Sequence, residues 1–386
     1  MLSMVFVNDI AGLKTAPWWM KHYAYRPGVG QPYNGMTWVD WVFPAFLFVV
    51  GMSIPIAMLA RASRLEPAWK TALHVLARTA CLLVIGVFMV NRPSDAARLG
   101  WPAHLWESLA LAASMLFVVS LPARWGAVVY VVRSIGAVGL IYLGWKFVGP
   151  DGVRLRTQWW GILGLIGWAY LVGSVVWVLT GPARAALAGL AALLLAMFSV
   201  EAAGKMPAVG FGSFLINDYL NFGAQIGTHG ALVVLGILLS SILLPESDVR
   251  EPGPRVRWIG GFVLLLLLAA AVAYPLHGIN KDIATPSWAL ISAAATAALF
   301  VPLYLGVDVL NGVRASWLLR VAGQHALMIY LLQAIFYQLI MLTKADWYSR
   351  IASGAATYGY ARGAGLGVAM TLLAWGLSRA GVRLRL

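Results

Sequence analysis

Along this chain, long apolar runs alternate with short polar breaks, and the runs are close to the roughly 20 residues that a helix needs to cross a bilayer. They predict spans at Trp38–Ala60, Leu73–Val90, His104–Leu121, Trp125–Val148, Trp159–Thr180 and Ala183–Ala202. After a longer break over Ala203–Thr228 the pattern resumes at His229–Leu244, Trp258–Leu276, Pro286–Val307, Trp317–Leu342 and Arg362–Ser378. Ahead of all these, the residues before the polar pair Asn8-Asp9 cover only roughly a third of a crossing, which predicts a first span truncated at its start. Closed helices satisfy their own backbone in lipid. The expected fold class is therefore all-α, a polytopic transmembrane helix bundle of about 11–12 spans. Pro245–Arg257, the one hydrophilic linker, is too short to separate domains, and no internal repeat is visible. Residues 1–386 read as a single transmembrane domain.

Composition supports the membrane reading. Only 11% of residues are charged and 61% are hydrophobic, where a soluble chain carries about a quarter charged. Eighteen tryptophans suit interfacial belts. The net charge of +14 sits in short inter-helix loops, so anionic lipid headgroups are its expected partners and nucleic acid is not. Cys81 is the single cysteine and lies within a predicted span. That leaves no disulfide and no cysteine metal site, and no H-E-x-x-H spacing suggests a metal. A P-loop and G-x-G-x-x-G are also absent. With the N-terminus inside, Arg61, Arg64, Lys70, Arg250, Arg255, Arg257, Arg379, Arg383 and Arg385 face the cytoplasm. His22, His104, His229 and His277 then fall at outer helix ends, with Asn34, Asp40, Asn280, Lys281 and Asp282.

Ionisable groups at membrane depth mark working sites, and they concentrate between Asn8 and Pro55. His22 can act as a general base or carry an acyl group; its plain alternative is a wetted loop histidine. Asn8 can polarise a developing oxyanion or cap a helix end. Asp40 can orient an imidazole or bind an acceptor's ammonium or hydroxyls, or else serve as an N-cap. Tyr33 and Asn34, with Trp18-Trp19, offer a platform for a sugar or a belt of interfacial aromatics. Asn280 and Lys281, ahead of Pro286, offer an amide and an ammonium to a phosphate or carboxylate, or form an ordinary loop. Gly227-Thr228-His229-Gly230 is a flexible approach to a span. Arg133, inside a predicted span, needs a partner or must snorkel.

Several segments together resemble the heparan-α-glucosaminide N-acetyltransferase family and its bacterial relatives, which are transmembrane acyltransferases. The resemblance is carried by Met4–Asp9, by Lys21-His22, and above all by Asn34-Gly35-Met36-Thr37-Trp38-Val39-Asp40-Trp41-Val42-Phe43-Pro44, continuing to Pro55. Gly227–Gly230, Ile279-Asn280-Lys281, Pro286–Leu290 and Ala326–Tyr330 follow in the family's order. The resemblance implies transfer of an acetyl group from acetyl-CoA, the donor substrate, across the membrane to an amino sugar or other glycan acceptor. It implies transfer roles for Asn8 and His22; acceptor contacts are expected from Asp40, Asn34 and Tyr33, and contacts that position the donor from Asn280, Lys281 and His229. The expected setting is a bacterial cytoplasmic (inner) membrane, with self-association left open. Leu105-Trp106-Glu107-Ser108-Leu109 stands where the family has a Gln-Arg-type pattern. The rival reading is a transporter or flippase for a lipid-linked sugar or small metabolite; such folds commonly carry inverted repeats, and none is visible here.

Overall fold

The computed structural model describes residues 1–94, 96–150, 152–211, 214–312, 316–351 and 356–384. The fold is all-α, an integral-membrane helix bundle. Among the described residues, nine helices are long and apolar enough to cross a membrane. They are Trp38–Ala62, Ala68–Val90, Val128–Lys146, Gly161–Thr180, Arg184–Ala202, Phe222–Ser240, Pro252–His277, Pro286–Val309 and Ala326–Thr343.

The predicted run at Arg362–Ser378 forms the helix Ala356–Arg379, which is not among the nine, and three further segments differ from the apolar pattern. The run at His104–Leu121 forms only a 15-residue helix, Ala103–Phe117, because Val119-Ser120 leave it to pair antiparallel with Arg383-Leu384. The run at Trp317–Leu342 is broken at His325, which separates a short helix, Trp317–Gln324, from the span. The break before His229 is partly helical: Asn221 Oδ1 accepts from Ala224 N, and a π-helical stretch over Phe222–Thr228 runs into the helix His229–Ser240.

The chain forms two compact units interleaved in sequence, one of Met1–Lys21, Cys81–Gly164 and Arg314–Leu386, the other of His22–Ala80 and Leu165–Val313. The division falls inside the helices Ala68–Val90 and Gly161–Thr180.

In the unit that begins at His22, every residue of His229–Ser240 is buried, as expected of a helix apolar on all sides. It packs against Trp38–Ala62 through a reciprocal pair of glycines. A Cβ on Gly51 would lie 2.0 Å from the Val233 carbonyl oxygen, and one on Gly236 would lie 2.0 Å from that of Phe48. Hydrogen alone fits at both positions, so the backbones touch, as in small-residue packing between membrane helices. Pro252–His277 and Pro286–Tyr304 form a second close pair, and each begins on a proline, where the missing N–H costs nothing.

In the unit that contains Asn8, the nine-residue helix Leu2–Ile10 packs on Ala356–Arg379. Buried Asp9 pairs there with Arg362 (Nε to Oδ2, 2.9 Å) and accepts from the hydroxyls of Tyr337 and Tyr348. Ala103–Phe117 lies against both Val128–Lys146 and Ala326–Thr343. Arg133 finds its partner in the backbone: its Nε donates to the Val119 carbonyl at 2.7 Å.

Candidate functional site

The site grows from the start of the helix Trp38–Ala62. Thr37 is its N-cap and Asp40 the third helical residue, three positions on, the spacing of a capping box. Thr37 Oγ1 accepts from Val39 N at 3.3 Å, and Asp40 Oδ2 accepts from Thr37 N at 3.0 Å. The same Oδ2 accepts from Tyr23 N at 2.9 Å, which fastens the loop carrying His22 to the helix end. Trp288 Nε1 donates to the Asp40 carbonyl at 3.1 Å, so the following helix pair also holds this turn.

Asp40 Oδ1 remains, and it faces His22 Nδ1 at 2.7 Å. The Asp40 side chain is 0% exposed, while that of His22 is 29% exposed, so the pair runs from interior to surface. Lys281 Nζ stands 2.9 Å from the same Nδ1 and 3.5 Å from Asp40 Oδ1. Three groups therefore meet at one nitrogen, and their chemistry sorts them. An ionised carboxylate can only accept, so a 2.7 Å contact requires the proton on Nδ1. Lys281 then cannot donate to Nδ1, and its charge is directed to Asp40. The lone pair of a neutral His22 falls on Nε2. Carboxylate, Nδ1–H and a basic Nε2 form the arrangement that orients a general-base histidine.

The loop from Gly278 to Thr285 positions Lys281. Gly278 has φ +62°, and a Cβ there would lie 3.1 Å from the Asn34 side-chain oxygen. Glycine thus permits both the turn and the close approach. Asn34 Oδ1 accepts from Ile279 N at 2.8 Å, and its Nδ2 donates to the Tyr274 hydroxyl at 3.2 Å. Asn280 is 2% exposed and braces the loop: Nδ2 donates to the Tyr33 carbonyl, and Oδ1 accepts from the N–H groups of Asp282 and Ile283. Tyr33 is buried with its ring 5.7 Å from that of Tyr23; burial, then the charges of Asp282 and Asp40, push its phenol well above the ordinary range.

The sequence-derived residues thus divide by position. His22, Asp40 and Lys281 come together. Asn34, Tyr33 and Asn280 build the loops that hold them. His229 lies buried between Phe43 and Trp288, edge-on to both rings, with Nδ1 unpartnered, and it does not join the three. Asn8 belongs to the other unit, where it is exposed and donates to Gln333 Oε1 at 3.5 Å. Two contributors carried no role in the sequence reading, Thr37 and Trp288. The Thr-x-x-Asp spacing was a readable signal for the first; nothing local announces the second.

Fold and site together define a polytopic α-helical membrane protein with an aspartate-oriented histidine at one helix start. Residues 1–209 match DUF5009, a domain of unknown function. The match covers more than half of the chain, which therefore belongs to that family. No curated protein matches the chain.

Proposed function

We propose that this protein is an acyl-CoA-dependent transmembrane acyltransferase in which His22 is the general base. The observation that carries the proposal is the 2.7 Å contact between His22 Nδ1 and buried Asp40, which leaves Nε2 as the basic nitrogen. In this reading an acceptor amine or hydroxyl attacks the thioester carbonyl of acetyl-CoA while Nε2 takes its proton. The C–S bond breaks, and the imidazolium returns the proton to the leaving thiolate, giving an amide or ester and free CoA. Asp40 stabilises the transient imidazolium, and Lys281 offsets the carboxylate charge between turnovers. The resemblance to the heparan-α-glucosaminide N-acetyltransferases supports acetyl-CoA as donor, an amino sugar or other glycan as acceptor, and a bacterial inner membrane as the setting.

The test is equilibrium binding of acetyl-CoA to the detergent-purified protein, followed by release of free CoA thiol with glucosamine as trial acceptor. Wild type and His22→Gln should both bind the donor saturably below millimolar concentration. The variant should release thiol at least about 100-fold more slowly, the lower end of a general base's contribution. Folded protein that binds neither acetyl-CoA nor longer acyl-CoAs overturns the transferase reading in favour of transport. Equal thiol release by the two proteins removes His22 from the chemistry.

A further inference from the structure

The unit containing Asn8 holds a second group of ionisable side chains. A cavity of about 490 Å³ opens between the helix Ala103–Phe117, the helix Ala326–Thr343 and the end of Ala68–Val90. That volume lies within the range of small-molecule sites. Phe88, Leu111 and Met341 give it apolar walls, and Arg92, His104, Glu107 and Gln338 supply its polar groups.

Glu107 is the unusual member. Its side chain is only 18% exposed, and among the described residues no N–H or O–H donates to it. His104 Nδ1 stands 3.9 Å from Oε2, too far for a hydrogen bond. The proton on Nδ1 is already committed, because Nδ1 lies 2.7 Å from the side-chain oxygen of Gln338. The lone pair of His104 is therefore on Nε2. A carboxylate recessed in a cavity and open to solvent is a ready acceptor for a cation that also donates hydrogen bonds. Arg92 lines the same cavity and acts electrostatically on Glu107, yet it makes no salt bridge to it. A lone cation would meet Arg92 as a repulsive neighbour; a ligand with an anion beside its ammonium would satisfy both charges.

We propose that this cavity binds an ammonium–phosphate zwitterion, the aminoethyl-phosphate group, with Glu107 and His104 receiving the ammonium and Arg92 the phosphate. A primary ammonium has three donors, enough for the carboxylate and the His104 lone pair together. The apolar walls suit the methylene and acyl portion of an aminophospholipid, and free phosphoethanolamine presents the same charges. This site stands on its own residues and does not depend on the transferase reading.

The experiment is equilibrium binding of radiolabelled short-chain phosphatidylethanolamine to the full-length protein in detergent. Competitors are phosphatidylcholine, phosphatidylglycerol and O-phosphoethanolamine. Wild type should bind saturably. Phosphatidylcholine, which has no N–H, and phosphatidylglycerol, which has no ammonium, should compete at least tenfold more weakly than unlabelled phosphatidylethanolamine. Glu107→Gln should weaken binding at least tenfold while melting no lower than wild type, since among the described residues no N–H or O–H donates to that carboxylate. Arg92→Gln, at an exposed position, should weaken binding with the fold intact. Displacement by O-phosphoethanolamine as strong as by the lipid shows that the headgroup alone is recognised; much weaker displacement assigns the lipid. Binding unchanged in Glu107→Gln, or equal competition by all three phospholipids, overturns the proposal.

Discussion

Asp40→Asn separates the two tasks of the central carboxylate. In the native site Oδ2 accepts from the backbone N–H groups of Thr37 (3.0 Å) and Tyr23 (2.9 Å), while Oδ1 faces His22 Nδ1 at 2.7 Å. An amide has one oxygen and cannot accept on both sides. Turning the NH2 toward Thr37 and Tyr23 would leave two buried donors unsatisfied, at about 1–3 kcal/mol each. The oxygen therefore stays with the backbone, the cap survives, and the NH2 points at His22. Nδ1 must then accept, the ring proton moves to Nε2, and the basic nitrogen is lost. The stability cost is modest, about 1–2 kcal/mol for replacing a charge-assisted bond with a neutral one. The effect on transfer is larger, about 10²–10⁴-fold, or roughly 3–5 kcal/mol of barrier. The tautomer can be read without knowing the acceptor. Histidine is labelled with nitrogen-15, the protein is placed in lipid nanodiscs, and the His22 signals are assigned by their absence in His22→Gln. Wild type should show a protonated Nδ1, and Asp40→Asn a protonated Nε2. If His22 keeps its Nδ1 proton in the variant, or if folded variant transfers at the wild-type rate, the reasoning from the Asp40 oxygens fails.

Two further outcomes follow from packing within each unit. Gly236→Ala places a carbon 2.0 Å from the Phe48 carbonyl oxygen, with backbone on both sides and no flexible side chain to yield, so it should cost about 3 kcal/mol, the upper end of ordinary overpacking. Denaturation in detergent measures this, and an unchanged midpoint would mean that the two helices are not in contact there. Arg362→Met strands Asp9, whose side chain is 0% exposed, with two tyrosine hydroxyls as its remaining partners; the expected loss is about 3–5 kcal/mol. Asp9→Asn combined with Arg362→Met should recover much of that loss, whereas additive losses would show that the pair is not coupled.

What could be read in advance follows from the range of the interaction involved. The helices were legible because apolar length is a local property: the runs beginning near Trp38, Trp159 and Pro286 all form membrane-length helices. The failures occur where a distant segment intervened. Val119-Ser120 shortened a predicted span because Arg383-Leu384, more than 250 residues later, offered them a strand partner. The break at His325 did carry a short local mark, Gly323-Gln324-His325, which the apolar run on either side outweighed. The site divides in the same way. Asp40 could be read as a cap or as an orienter of an imidazole, and the structure makes it both, because a carboxylate has two oxygens and the capping box uses one. Lys281 was read as a contact for a phosphate because its local sequence is a loop before a helix-starting proline. Its position beside His22 depends on Asn280 gripping the Tyr33 carbonyl and Asn34 gripping Ile279, bonds that span about 250 residues of sequence. A motif read along the chain gives the members of such a site; the hydrogen bonds that close the loops decide which members meet. This is also why Glu107 escaped a functional reading: its significance lies in sharing one cavity wall with His104, Arg92 and Gln338, and Gln338 lies more than 200 residues along the chain.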